Sequence, residues 1–239
     1  MLLLAFETSA KAASVALFEN QNLLGEQYQN TGLTHSQTLL LMAEALLSQC
    51  GKTAQEVEAV AVANGPGSFT GVRIGVAAAK GFAWGREIPI YGVSTLEAMV
   101  YGAGIYNGFV CPVMDARREQ VYNVLFYMEK GKMIRQTPDR AIALSELGEE
   151  LQKKAQGLPV FLVGDGSILC YNTLKDTVPN LILPPEHQMH QRAVGVGLAA
   201  LAQEKAEDPA TLAPNYLRLS QAERERLEKQ NISSHPERV

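Results

Sequence analysis

The stretch NGPGSFTGVRIGVAAAKGFAWG, Asn64 to Gly85, gathers residue types suited to holding a phosphate. Gly65, Gly67 and Gly71 leave the backbone bare, Ser68 and Thr70 carry hydroxyls, and Arg73 adds a cation in the first turn of the helix that follows. Backbone N–H groups at a helix N-terminus attract anions, and glycine permits close approach. The spacing fits neither familiar phosphate fingerprint. A Walker loop ends in Gly-Lys and a hydroxyl, whereas Gly71 is followed by Val72 and Arg73; the dinucleotide form needs a glycine at position 70, which is Thr70. The same glycines serve a tight turn that packs helix closely on sheet. Two readings therefore stay open, a phosphate loop of Gly65, Gly67, Ser68, Thr70 and Gly71, and a packing turn.

Acid–base and metal chemistry have fewer candidates. Glu7, Asp115 and Asp165 each fall at a strand end or glycine turn, where catalytic acids often sit and where turn-capping acids sit too. His35 is followed by Leu39 four residues on, so a helical pair of histidine ligands is missing. Glu186, His187 and His190 would point together only on a helix, and a surface loop is the ordinary alternative. Neither a metal site nor a catalytic residue is expected. The three cysteines, Cys50, Cys111 and Cys170, lie too far apart to suggest a disulfide framework or a cysteine-rich zinc site.

Composition narrows the class. In 239 residues, 46% are hydrophobic and 19% charged, enough for a sizeable core. The net charge of −4 and the absence of a basic run argue against a protein that grips nucleic acid by itself. The opening MLLLAFETSA has no basic start and is interrupted by Glu7, so it reads as a strand and not a leader. No segment is apolar enough to span a bilayer, and a reducing cytoplasm is the expected location.

The elements that must position these residues come in two similar sets. Leu2–Thr8, Ser14–Asn20 and Leu23–Gln29 read as a meander of strands. A helix follows Thr34 or Ser36 and ends at Gly51, then come a strand over Val57–Asn64, the glycine loop, a helix over Thr70–Trp84, a strand over Ile88–Ser94 and a short helix capped by Ser94 or Thr95. The order then repeats. Phe109–Arg117 and Gln120–Glu129 are strands, GKMIRQT a third, Leu144–Ala155 a helix capped by Ser145, Pro159–Ser167 a strand entering a Gly-Asp-Gly turn, and SILCYNTLK a helix. PNLILPPEHQMH reads as irregular and Arg192–Lys205 as a helix. The implied layout is an N-terminal lobe over 1–105, against which the last helix can pack back, a smaller second lobe over 106–211, and an arm over 212–239 ending in a short charged helix.

Two helices lack a polar side. In Thr70–Trp84, Gly71, Gly75 and Ala79 recur every four residues and only Arg73 and Lys80 are charged, so a second helix can come near. In the earlier helix, Leu39, Ala43, Leu46 and Cys50 form one stripe and Leu41, Met42 and Ala45 another. One stripe covers the sheet; the other needs a cover of its own, from the second lobe or from another chain.

The segments AFETSAKAASVAL, THSQTLL, GPGSFTGVRIGVAAAKGFAW, GVSTLEAM, DARREQVY and PNYLR resemble the TsaB (YeaZ) family over nearly the whole chain. The resemblance implies an α/β, two-lobed, ribonuclease H-like fold of mixed sheets flanked by helices, as in the actin, sugar-kinase and heat-shock ATPase superfamily. It implies a non-catalytic subunit that binds and activates TsaD, the transferase that threonylcarbamoylates N6 of adenosine in the tRNA anticodon loop. TsaD would carry the ATP or ADP and the metal, this chain having no cofactor of its own except for a nucleotide at the interface. TsaE would join the same complex, tRNA would be met only through it, and a homodimer would use the same helices. The implied contact set is His35, Leu39, Met42 and Leu46 on the first helix, with Arg73, Val76, Ala79, Lys80 and Phe82 on the second. The rival is a stand-alone ATP-dependent or metallopeptidase-like (glycoprotease-like) enzyme built on the glycine loop, Glu7 and Asp165.

Overall fold

The computed structural model describes residues 1–104 and 107–218. The chain opens with β1 (Leu2–Glu7), β2 (Ala13–Glu19) and β3 (Asn22–Gln29), then α1 (His35–Gln49), β4 (Ala59–Gly65), α2 (Phe69–Trp84), β5 (Ile90–Ser94) and α3 (Thr95–Ala103). These five strands form one sheet in the order β3-β2-β1-β4-β5, antiparallel from β3 to β1 and parallel from β1 to β5. β1 is buried along its whole length, as an uninterrupted apolar run requires of a central strand. Its alternate residues feed two cores. Leu2, Leu4 and Phe6 pack with α1 and α2 on one face. Leu3 and Ala5 meet α3 and a late helix, α7 (Ala193–Leu201), on the other.

Between α3 and α7 the chain builds β6 (Gly108–Asp115), β7 (Gln120–Asn123), β8 (Phe126–Glu129), β9 (Lys132–Arg135), β10 (Arg140–Ala143), α4 (Leu144–Ala155), β11 (Val160–Val163), α5 (Ser167–Leu174), β12 (Leu181–Ile182) and α6 (Glu186–Met189). Seven strands make the second sheet, so the half expected to be smaller has more strands than the first, most of them four residues long or less. Gln120–Glu129 is not one strand. β7 pairs with Val113–Asp115 at one end of β6 and β8 with Gly108–Val110 at the other. Val124 and Leu125 cross between them, buried, with Leu125 N–H donating to Thr137 Oγ1 at 2.9 Å. The stretch expected to be irregular holds β12 and α6. The helix over Arg192–Lys205 is shorter than expected and packs on the first sheet and α3, although it follows the second sheet in sequence. The charged helix expected at the end lies outside the described residues.

Caps account for the helix starts in part. Ser68 Oγ accepts from Gly71 N–H at 3.3 Å and Ser94 Oγ from Glu97 N–H at 3.3 Å. α4 starts at Leu144 without a side-chain cap, so Ser145 lies inside the helix and does not cap it.

Candidate functional site: the glycine loop, the cleft and an open helix face

The bare faces that a phosphate loop requires are filled by the chain itself. A Cβ on Gly65 would overlap the Asn215 carbonyl, one on Gly67 would meet Ser9, one on Gly71 would overlap the Thr8 carbonyl, and one on Gly75 would overlap Thr8 Oγ1. Ser68 N–H donates to Ser9 O at 2.7 Å, Asn215 N–H donates to Asn64 O at 2.6 Å, and Thr8 Oγ1 donates to Gly71 O at 2.8 Å. The glycines thus seat α2 against the β1–β2 turn and the C-terminal segment, which supports the packing turn over the phosphate loop. Ser68 caps the helix, and Thr70 stands exposed on the outer side of α2.

A C-terminal strap runs along the same ground. Glu207 pairs with Ile90, and Leu212 is buried against the first core. Lys80 Nζ donates to Leu212 O at 2.7 Å and Ala210 O at 3.2 Å. Farther on, Tyr216 stacks on Phe69 with ring centroids 4.9 Å apart, and Arg73 Nε donates to Tyr216 Oη at 2.8 Å while its guanidinium lies 3.7 Å from the Phe69 ring centre. Arg218 then reaches the second half of the chain, donating to Ala116 O at 2.7 Å. The two cations of α2 expected to face a partner, Arg73 and Lys80, are therefore engaged within the chain.

The apolar positions expected at an interface also need correction. Leu39, Met42, Leu46, Val76 and Ala79 are all buried on the sheet and belong to the first core. The small-residue ridge Gly71, Gly75 and Ala79 is closed by Thr8 and the sheet, and admits no second helix. The reason is geometric: a helix covering a flat sheet buries a wide arc, and this arc took the regular stripe. The surface left open lies on the opposite side. Leu40 is 54% exposed, Leu41 65% and Trp84 62%, with Leu33, Ala77 and Gly81 also exposed. A groove of about 390 Å³ between α1 and α2 is lined by Leu40, Ala43, Leu47 and the half-buried Phe82. Phe82 itself carries the Arg86 guanidinium 4.0 Å from its ring centre. Trp84 was the missed signal: it is the chain's single tryptophan, at the end of a helix with no polar face.

The three acids read from the sequence do gather, at a cleft of about 510 Å³ between the two sheets. Asp115 and Asp165 line it with Ser9, Lys11, Tyr122 and Arg218, and Glu7 lies beneath Ser9. Ser9 N–H donates to Glu7 Oε1 at 2.5 Å; Glu7 Oε2 is buried without a hydrogen-bond partner among the described residues. Burial pushes the Glu7 carboxyl up to about 7, and the nearby Asp165 adds to this. Asp165 is also raised, chiefly by burial, and is held by Gln191 Nε2 at 2.8 Å. Gln191 was not foreseen; its amide oxygen, Oε1, is buried and unpartnered among the described residues.

His35 and His187 are not among the groups that act on that cluster, whereas His190 lies near enough to Asp165 to favour its charged form. His35, half-buried, donates from Nε2 to Ala10 O at 2.9 Å. His187 and His190 border a separate cavity of about 260 Å³ with Glu26 and Arg192. Among the described residues no three of His, Cys, Asp or Glu are grouped to hold a metal. No described helix is long and apolar enough to cross a membrane.

The mouth of the cleft is formed by a loop the sequence did not mark as unusual. Arg117, Arg118 and Glu119 hold φ of 65°, 56° and 57° in succession. Each such residue costs about 1 kcal/mol or more relative to the right-handed region. Asp115 Oδ1 accepts from Arg117 N–H at 2.7 Å and so steadies the turn.

Residues 29–226 match the family model of TsaD, the tRNA N6-adenosine threonylcarbamoyltransferase. Among curated relatives, the tRNA threonylcarbamoyladenosine biosynthesis protein TsaB of Bacillus subtilis (strain 168) is 34% identical over 231 residues, which is 96% of this chain and 100% of the relative. TsaB of Escherichia coli (strain K12) is 35% identical over 159 residues, 66% of this chain and 68% of the relative. Among solved structures, YeaZ from Pseudomonas aeruginosa superposes with a TM-score of 0.74 at 26% identity, covering 90% of this chain and 99% of that one. The two-sheet, ribonuclease H-like architecture, the glycine joint at α2 and this likeness over nearly every residue agree: the chain belongs to the TsaB (YeaZ) family of tRNA threonylcarbamoyladenosine biosynthesis proteins.

Proposed function

We propose that this chain is a non-catalytic subunit that binds a TsaD-type transferase and activates it for N6-threonylcarbamoylation of adenosine in the tRNA anticodon loop. The observation that carries the reading is the open apolar face formed by Leu40, Leu41, Ala77 and Trp84 on α1 and α2. Large apolar side chains left exposed on two adjacent helices mark a surface for association, and exposed leucine and tryptophan are the kind of anchors such surfaces use. The glycine loop points the same way, because its glycines are spent on internal packing. In this reading nucleotide, metal and group transfer belong to the partner, and a second copy of this chain competes for the same helices. Activation follows if the face fits one conformation of the transferase better than another, since only differential affinity shifts a population.

The test is Leu41→Glu measured by calorimetry against the purified transferase partner. Affinity is expected to fall at least about 30-fold, roughly 2 kcal/mol, with the melting temperature of the free chain unchanged because Leu41 is exposed. Wild-type affinity in this variant would remove the interface. Transfer assays complete the test: the partner is expected to be stimulated by the wild-type chain and not by the variant. Transfer by the chain alone would overturn the non-catalytic reading.

A further inference from the structure

The loop Asp115–Gln120 is the only place among the described residues where successive non-glycine residues hold left-handed backbone. L side chains avoid this region, and glycine or asparagine would occupy it at lower cost. The chain instead places arginine at two of the three positions. The conformation is over-determined by its neighbours. Ala116 N–H donates to Gln120 O at 3.0 Å, Gln120 N–H to Arg117 O at 3.2 Å, and Leu144 N–H to Glu119 O at 3.0 Å. With the Asp115 turn and the Arg218 bond to Ala116 O, the loop is tied to α4, to β6 and to the strap. Strain held this firmly is commonly stored where a side chain must be presented in one direction.

What the loop presents to solvent is a pair of arginines, set between Asp115 and Glu119. The Arg117 side chain is 86% exposed, and Arg118 is exposed beside it. Both border a groove of about 810 Å³ against α4 and α5. Arg117 also borders the 510 Å³ cleft with Lys11 and Arg218. Four cations thus border the two hollows on either side of this loop, with Arg117 common to both. As many acids stand beside them, Asp115, Glu119, Glu149 and Asp165. Asp115 caps the Arg117 amide and lies 3.8 Å from its guanidinium, Asp165 is held by Gln191, and Glu119 and Glu149 lie on the groove side.

We propose that Arg117 and Arg118 are a contact point for RNA phosphates, with the strained loop holding both guanidinium groups out toward the sugar-phosphate backbone. This rests on the proposed role in a tRNA-modifying complex and adds to it a surface on this chain. Guanidinium groups match phosphate oxygens in a two-pronged fashion and work from exposed positions. A protein partner would instead call for a desolvated apolar anchor. On this loop the one apolar residue, Ala116, is buried.

The experiment measures fluorescence anisotropy of a labelled RNA stem-loop with the full complex and with the isolated chain, over a salt series. Two double variants are compared with wild type, Arg117→Glu with Arg118→Glu, and Arg117→Gly with Arg118→Gly. The charge reversal is expected to weaken RNA binding at least about tenfold and to lower the dependence of log affinity on log salt by about one to two, near 0.9 for each lost phosphate contact. The glycine pair is expected to weaken binding as well while raising the melting temperature, because it relieves the backbone. A merely structural loop would not combine a gain in stability with a loss of RNA affinity. Unchanged RNA affinity and salt slope in both variants would overturn the proposal. So would a loss confined to association with the transferase, which would make the loop a protein contact. If the transferase does not bind this chain at all, the proposed function fails separately. The isolated-chain arm then decides the loop alone: a tenfold drop upholds it, and absent or unaltered RNA binding ends it.

Discussion

Ala79→Glu is expected to abolish folding, while Ala77→Glu, two residues along the same helix, is expected to melt like the wild type. Ala79 is fully buried where α2 meets the first sheet, among Val62, Val76 and Leu39. A glutamate there adds a methylene and a carboxyl group to a filled core. Overpacking of this size costs about 1–3 kcal/mol. Burying an unpaired charge, or protonating it to avoid doing so, adds several more. The sum of roughly 5 kcal/mol takes most or all of the stability of an ordinary domain. Ala77 is exposed, so its substitution changes only helix propensity, by a few tenths of a kcal/mol. Ala77 does lie on the open face, so Ala77→Glu is also expected to lose the partner. Thermal unfolding followed by circular dichroism separates the pair. A cooperative wild-type melt for Ala79→Glu would mean that the buried and open faces of α2 have been exchanged.

That contrast shows how much of the site was legible in the sequence. The missing polar side of α2 announced that both of its faces are covered or intended to be. The regular spacing of Gly71, Gly75 and Ala79 suggested an external helix, yet the occupant is the Thr8 turn, which lies next to α2 only because β1 and β4 are neighbours in the sheet. Sequence spacing reports periodicity and leaves the identity of the covering element undetermined. The bonds that Arg73 and Lys80 make within the chain were hidden for the same reason, since the strap that binds them lies more than a hundred residues away in sequence. The paired sets of strand, glycine turn and helix were readable because each element carries its own pattern. The crossing at Val124 and Leu125 was not, because a continuous apolar run looks alike whether it pairs along one stretch of a neighbour or two. The left-handed run at Arg117–Glu119 had no local signature, as those residue types usually avoid it.

The acids were placed correctly by their positions at strand ends, but their ionisation could come only from burial, and here the second large effect arises. Glu7→Gln is expected to stabilise the protein at alkaline pH and to change little at acid pH. The Glu7 carboxyl stands at about 7 in the folded protein against 4.5 when solvated, mainly because burial disfavours its charge. Below 4.5 the carboxyl is protonated folded or unfolded, and its contribution is fully present. Between the two values the folded protein keeps a proton that the unfolded chain has released, so stability declines as pH rises. Above 7 the folded protein must hold a buried carboxylate, and the loss is complete. Across that interval the change is about 3 kcal/mol, at 1.36 kcal/mol for each pH unit. Asp165 is raised by burial too and bends the wild-type curve in the same direction. Only the difference between wild type and Glu7→Gln isolates Glu7. Glutamine retains the oxygen that accepts from Ser9 N–H and cannot ionise. Denaturant unfolding at pH 5, 6.5 and 8 is expected to show the variant gaining on the wild type at each step. A difference that stays flat with pH, or reverses, would mean that Glu7 is ionised and paired in the folded protein. The floor of the cleft would then carry a fixed negative charge in place of a neutral acid.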